Sequence, residues 1–158
     1  MNNAAHLHLL VNHFPIFLPL FGLVILLIGI TLKSEITKRI SFGMFVFGGI
    51  FAFIASQTGE GAEDIVEGLK RSHDLIHEHE EAAEVFSLAS YLLALISITA
   101  LWFSWKKHPF STLFTYITLF ISIIVLYLSF ATGQTGGEIT HPEVSNSFKA
   151  PIEVEDKD

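Results

Sequence analysis

The sequence predicts an all-α fold, in which four apolar helices form an antiparallel bundle in a membrane. Two observations predict this class. Of the 158 residues, 51% are hydrophobic, and the mean hydropathy is +0.53. Four stretches also lack Asp, Glu, Lys and Arg for close to the roughly 20 residues that a helix needs to cross the hydrocarbon core. The chain has no Cys, which excludes disulfides, thiolate metal sites and haem attachment through Cys.

The apolar stretches predict four spans inside one membrane domain, residues 1–143. The spans cover residues 14–33, 40–57, 83–105 and 109–132. Pro15 suits the first turn of the first span, because the donor it lacks would be unpaired there. Pro19 should kink that helix or mark a later start. Residues 144–158 are polar and acidic, which predicts a flexible tail.

The second and third spans carry further signals of a membrane helix. Gly43, Gly48 and Gly49 in the second span indicate close packing against a neighbouring helix, since small residues let helices approach in lipid. They could also make room for a flat macrocycle. Trp102 and Trp105 end the third span, which is typical of a helix end at the membrane surface.

The basic residues near the spans predict the orientation. They lie in the two short connections, as Lys33, Lys38 and Arg39 in the first and Lys106 and Lys107 in the second. Because short basic loops remain in the cytoplasm, both termini should lie outside, as in a multi-pass protein of the bacterial inner membrane with periplasmic termini. All the acidic residues except Glu35 then share the outer side, and the net charge of −7 excludes a nucleic-acid partner.

A long acidic connection rich in His, from Thr58 to Glu84, joins the second and third spans. It contains more than half of the sixteen acidic residues and three of the eight histidines. His73, His77 and Glu81 follow one another at intervals of four, so on a helix they share one face. Such a face can bind a metal, offer an axial ligand to a haem or relay protons, and the alternative is a solvated acidic helix.

A short repeat suggests that the chain has two related halves. Gln57-Thr58-Gly59-Glu60 follows the second span, and Gln134-Thr135-Gly136-Gly137-Glu138 follows the fourth. Each half begins with a lead-in containing His, crosses the membrane twice around a loop containing Lys, and ends in Gln-Thr-Gly and a carboxylate. The two halves are therefore interpreted as parallel hairpin repeats.

The predicted orientation places seven of the eight histidines at one membrane face. They are His6, His8, His13, His73, His77, His79 and His141. Two chemistries fit this clustering. A haem b between the helices would take two imidazole ligands, and His13 and His79 are the favoured pair because they open the first and third spans. A site of imidazole and carboxylate ligands would instead bind iron, zinc or copper.

The candidate residues differ between these two chemistries. The candidates for cofactor binding are His13, His79 and His141. The candidates for a metal site are His13, Glu63, His73, His77, His79, Glu80 and His141.

Four short motifs resemble a bacterial family of uncharacterised four-helix membrane proteins. They are Asn12-His13-Phe14-Pro15, Thr58-Gly59 with Ala62-Glu63, His79-Glu80-Glu81, and Gly136-Gly137 followed by His141-Pro142-Glu143. Members of that family are joined to, or encoded beside, cytochrome c and Rieske-type modules, so the resemblance implies a redox role. It also implies that His13, Glu63, His79 and His141 belong to the family pattern.

The leading hypothesis is a membrane-embedded redox protein that binds haem or a metal at its outer face. It would serve as an electron-transfer component of a larger respiratory-type assembly rather than as a stand-alone enzyme. Its expected partners are membrane lipid and other membrane or periplasmic redox proteins, and a homo-oligomer is left open. The alternatives are a structural subunit of a membrane complex and a protein that binds or transports metal through His and Glu.

Overall fold

The chain folds into long helices that form one bundle. The computed structural model describes residues 3–68 and 73–141, and all regular structure in them is helical. The helices are α1 (Asn3–Val11), α2 (Phe14–Thr31), α3 (Glu35–Gly68), α4 (His73–Trp105) and α5 (Ser111–Thr140). Only Asn12 and His13 separate α1 from α2, so four segments are long and apolar enough to cross a membrane. The predicted all-α class and the four membrane helices are confirmed, and residues 144–158 lie outside the described residues.

Contacts between successive helices show that the bundle is antiparallel. Gly22 in the middle of α2 lies against Phe45 of α3. Arg39 near the start of α3 bonds Ser104 near the end of α4. Thr132 near the end of α5 bonds Ala82 near the start of α4. Helices α2 and α5 also contact each other, which closes the bundle.

Pro15 accounts for the break between α1 and α2. A proline has no N–H to donate to the carbonyl four residues earlier, here Val11, and its ring crowds that carbonyl. Helix α1 accordingly ends at Val11, and α2 has Pro15 in its first turn. Pro19, which was expected to kink the helix or mark a later start, lies inside α2 without ending it and is buried.

The acidic segment between the second and third spans is mostly helical, so the predicted long loop is not confirmed. Helix α3 continues through Gly68 and α4 begins at His73, which extends both helices well past the predicted spans. A solvated helix can continue beyond the membrane when side chains one turn apart interact. His77 meets this condition, because its Nε2 lies 3.5 Å from the Glu81 carboxylate.

Small hydroxyl side chains occupy much of the interior, while large apolar side chains cover the outside. The most buried hydroxyl residues include Ser41, Ser90, Ser97, Thr118 and Ser122. Most of them bond a carbonyl one turn earlier on their own helix, as Ser90 bonds the Phe86 carbonyl at 2.8 Å. In a membrane the apolar exterior meets lipid, and small interior residues let the helices approach closely.

The glycines of α3 confirm the predicted close packing at two of three positions. A Cβ at Gly49 would lie 2.6 Å from the Ala94 Cβ and 3.1 Å from the Ser90 carbonyl oxygen. At Gly48 a Cβ would approach Pro19 to 3.3 Å. At Gly43 it would meet nothing within 4 Å, so this glycine is not required for packing within the described residues.

The two ends of the bundle differ in chemistry. The basic end carries Lys33, Lys38, Arg39, Lys106 and Lys107 at the junctions of α2 with α3 and of α4 with α5. Arg39 donates to the Ser104 hydroxyl and to the Ser104 carbonyl, both at 2.8 Å. This carbonyl belongs to the last turn of α4 and also accepts from the Lys107 N–H at 3.3 Å, so Arg39 adds a second donor at the end of α4 and joins it to α3. The opposite end is called the histidine end below, because His8 of α1 and His79 of α4 lie there.

Substitution of Gly49 tests the packing of α3 against α4. We expect Gly49→Ala to lower the free energy of unfolding by about 1–3 kcal/mol, because its methyl group overlaps Ala94 and the α4 backbone. Gly43→Ala should be neutral or stabilise the helix by up to about 1 kcal/mol, since its methyl enters open space. Equilibrium unfolding in detergent, followed by circular dichroism, measures both. Adding Ala94→Gly should recover part of the loss, and equal stability of the two alanine variants would contradict this packing.

Candidate functional site

Two imidazoles at the histidine end are each bonded to the neighbouring helix of their own half of the chain. His8 on α1 places its Nδ1 3.0 Å from the Ala55 carbonyl and 3.3 Å from the Thr58 hydroxyl of α3. His79 on α4 places its Nδ1 3.0 Å from the Thr135 hydroxyl of α5. Both rings are partly buried. Each ring is therefore held at Nδ1 by a neighbouring helix.

The partners of these rings decide which nitrogen carries the proton. A carbonyl oxygen can only accept, so His8 must donate from Nδ1 to Ala55. The single hydroxyl proton of Thr135 is already donated to the Thr132 carbonyl at 3.0 Å, so that hydroxyl accepts from His79. In the neutral form, both rings then carry the proton on Nδ1 and a lone pair on Nε2. A lone pair on Nε2 is what a metal or a haem iron binds.

The surroundings of the two rings repeat in the two halves of the chain. Thr58 donates to carbonyls three and four residues earlier, those of Ala55 and Ile54. Thr135 donates to the carbonyl three residues earlier, that of Thr132. His8 bonds the backbone of Ala55, and His79 has a backbone hydrogen bond to Thr132. The Gln-Thr-Gly repeat therefore supplies an equivalent imidazole support in each half, which agrees with the interpretation of two related hairpins.

The glycine after each threonine lies beside the supported ring. A Cβ at Gly136 would lie 3.0 Å from the His79 Cε1 and 3.3 Å from its Nδ1. A Cβ at Gly59 would lie 4.0 Å from the His8 Cε1. The requirement for glycine is therefore stricter at Gly136 than at Gly59, because a side chain at Gly136 would meet the ring of His79.

The two rings are near enough for their charges to interact. The charge of His8 acts on His79, and packing around His79 shields its ring from water. Two protonated imidazoles in this arrangement would repel each other, whereas two neutral rings would not. Burial of the ring and, to a lesser extent, the charge of His8 lower the pKa of His79, which favours its neutral form, the form that binds a metal or haem iron.

The other candidate histidines are more exposed than this pair. His13 is exposed and stacks on Phe17, with 6.3 Å between the ring centroids. His73 is exposed at the start of α4. His77 is exposed and lies near the carboxylates of Glu80 and Glu81.

The remaining candidates lie at the ends of α3 and α5. His141 caps the end of α5, where its N–H donates to the Gly137 carbonyl at 2.9 Å, and its side chain is exposed. Glu63 falls within α3, and its side chain lies outside the described residues. In the described part of the chain, no three His, Asp or Glu side chains group closely enough to hold a metal ion. The larger ligand set expected from the sequence remains a prediction.

His8 is the site residue that the sequence interpretation missed. The favoured pair was His13 and His79, and within the described residues the histidine whose charge acts on His79 is His8. A signal was present in the repeat, because His6-Leu7-His8 opens the first half as His77-Glu78-His79 opens the second. Alignment of these two motifs pairs His8 with His79 and leaves His13 without an equivalent.

Comparisons with known proteins give no match from which the role of the site could be inferred. No family model, curated protein or solved structure matches the chain. The resemblance to redox-associated four-helix proteins therefore stays a prediction. The paired imidazoles and their supports are the features on which a function can be argued.

Alanine at Gly136 tests how closely α5 supports His79. We expect Gly136→Ala to be less stable than Gly137→Ala by about 1–2 kcal/mol, because only the first methyl group meets the ring. A Cβ at Gly137 would meet nothing within 4 Å, and both changes add the same methyl group to α5. Unfolding in detergent measures the difference.

A double-mutant cycle identifies the cause of that difference. If contact with the ring is responsible, Gly136→Ala should cost less when His79 is already alanine. An unchanged cost in the His79→Ala background would contradict the contact.

Proposed function

We propose that this protein is a membrane-embedded electron-transfer protein that binds haem b, with His8 and His79 as the axial ligands. The observation that carries the proposal is the pair of imidazoles held at Nδ1 by neighbouring helices, an arrangement that would leave each Nε2 to a ligand. Haem suits two histidines because the macrocycle supplies four nitrogens to the iron and the protein needs to supply only the axial ligands. A metal ion without a macrocycle usually needs three or four protein ligands.

The hydrogen bonds at Nδ1 would tune such a ligand pair. An imidazole that donates its second N–H to a carbonyl or hydroxyl is held in one orientation and becomes a stronger base at the metal-binding nitrogen. Ala55, Thr58 and Thr135 supply these acceptors, and Gly136 leaves space for the ring of His79. The chain thus provides two oriented imidazoles at one end of the bundle.

The donor set favours electron transfer over a reaction at the iron. Haem supplies a one-electron couple between ferric and ferrous iron. When two imidazoles occupy both axial positions, no position remains for a substrate or for oxygen. His8 and His79 would therefore hold the cofactor and set its potential, and the surrounding helices would exclude water.

We further propose that the histidine end faces the periplasm in a bacterial inner membrane. Five basic residues lie at the other end, and short basic loops stay in the cytoplasm. The start of α4 exposes acidic side chains next to the site, namely Asp74, Glu78, Glu80, Glu81 and Glu84. This acidic surface suits a periplasmic or membrane redox partner with a basic surface, since complementary charge speeds association.

A site for a metal ion is the second candidate function. It is favoured by the exposed pair His77 and Glu81, whose Nε2 and carboxylate lie 3.5 Å apart on one helix face. Imidazole and carboxylate ligands suit zinc, copper or iron. Two such ligands on a solvated helix form an incomplete site, so this candidate needs ligands from outside the described residues.

Alanine at each axial position tests the haem proposal. We expect the wild-type protein, purified in detergent after expression with haem supply, to show a Soret band and about one haem per chain. His8→Ala and His79→Ala should each remove most of this absorbance, because each deletes an axial ligand. His13→Ala is the matched control and should retain it, since His13 is exposed and stacks on Phe17.

Further measurements separate loss of a ligand from loss of folding. Imidazole added to His79→Gly should restore the Soret band if the variant is folded and lacks only its ligand. Elemental analysis that finds stoichiometric zinc or copper, in a protein without haem, would support the metal-ion site instead. The haem proposal fails if the wild type takes up no haem, or if His13→Ala loses as much haem as His8→Ala.

A further inference from the structure

A small cavity at the basic end lies far from the paired histidines. Its volume is about 200 Å³, and it lies between the end of α2 and the starts of α3 and α5. Its lining comprises Ile30, Lys33, Glu35, Lys38, Thr112, Thr115 and Tyr116. The cavity thus combines two ammonium groups, one carboxylate and three hydroxyl groups.

One ion pair lies beside this cavity, and it leaves one of the two lysines of the lining without a negative partner among the described residues. Lys38 pairs with Glu35, whose second oxygen accepts from the Ser104 hydroxyl at 2.9 Å. Lys33 lies in the turn after α2 and is exposed. Across residues 3–68 and 73–141, Lys33 has no ion-pair partner. Its ammonium group is therefore the charge that a bound anion would neutralise.

The cavity lies where lipid headgroups are expected. Trp102 and Trp105 are exposed at the same end of the bundle, and tryptophan favours the boundary between lipid tails and headgroups. Leu113 and Tyr116 of α5 are also exposed, with 53% and 54% of their surfaces accessible, and Tyr116 lines the cavity. Polar groups of the cavity therefore adjoin an apolar helix surface that would contact acyl chains.

We propose that this cavity binds the phosphate group of an anionic membrane lipid. Lys33 would supply the compensating charge, and the hydroxyl groups of Thr112 and Tyr116 would donate hydrogen bonds to the phosphate oxygens. The first turn of α5 begins at Ser111, so its positive end faces the same space. Basic pockets between membrane helices bind anionic headgroups by this combination of charge and hydrogen bonding.

Two lysines in matched positions allow a controlled test. Lys33 and Lys107 each occupy a turn between helices at the basic end, and both have positive φ, 52° and 50°. Only Lys33 lines the cavity. Lys33→Gln and Lys107→Gln therefore remove the same charge from equivalent backbone positions, and they differ in their distance from the proposed site.

The measurement is lipid retention by the purified full-length protein. We expect native mass spectrometry, after mixing with phosphatidylglycerol in detergent, to show that Lys33→Gln weakens binding about fivefold, the effect of one lysine at an anionic surface. Lys107→Gln should bind as the wild type does. Tyr116→Phe should weaken binding, whereas Tyr127→Phe, an exposed tyrosine of α5 outside the cavity lining, should not.

Three results would overturn the proposal. Equal losses in Lys33→Gln and Lys107→Gln would show general surface attraction. Equal binding of phosphatidylglycerol and phosphatidylcholine would show that anionic charge is not recognised. Competition by inorganic phosphate at concentrations similar to the lipid would show that the cavity selects free phosphate. Thermal unfolding of each variant confirms that it is folded, and the haem content should be unchanged throughout.

Discussion

The hydrogen bond that each imidazole makes through Nδ1 is the interaction on which the site depends. In a membrane, a polar side chain near the lipid is stable only when its donors are satisfied within the protein. Ala55 and Thr135 satisfy the donors of His8 and His79 with acceptors on neighbouring helices. The same bonds fix the orientation of the rings.

Close helix packing places these acceptors within reach. The Gly49 contact brings α3 against α4, and the missing side chain at Gly136 lets the His79 ring lie beside α5. Most interior hydroxyls bond their own helices, so the bundle needs few polar contacts between helices and can pack through small side chains. The polar bonds between helices occur near the bundle ends, at Arg39 with Ser104 and at the two histidines. The chemistry of the protein is therefore divided between two ends joined by a close-packed middle.

The two ends of the bundle differ in the charges that they expose. At the histidine end, the two imidazoles lie beside an exposed acidic helix face, and on this arrangement the proposed cofactor and basic partner depend. At the basic end, one ion pair joins Lys38 to Glu35 beside the cavity, and the charge of Lys33 is the basis of the proposed anion site. Because the two ends are separated by the length of the bundle, a change at one should leave ligand binding at the other intact.

The sequence by itself determined the helical class, the four spans and the basic loops, because apolar runs of membrane length and their flanking lysines are local features of the chain. It also identified the Gln-Thr-Gly repeat and His79. It did not determine that the acidic segment would extend α3 and α4, since continuation of a polar helix depends on neighbours one turn away and on the bundle beneath it.

The tertiary structure decided the choice of His8 over His13 as the neighbour of His79, although the two His-X-His motifs carried a signal for it in the sequence. The two histidines lie five residues apart in the same lead-in, and residue type alone does not distinguish them. Helix α1 turns His8 toward the Ala55 carbonyl, while the break at Pro15 leaves His13 exposed beside Phe17. Which histidines come near one another depends on contacts between residues distant in the chain, such as that of His8 with Ala55.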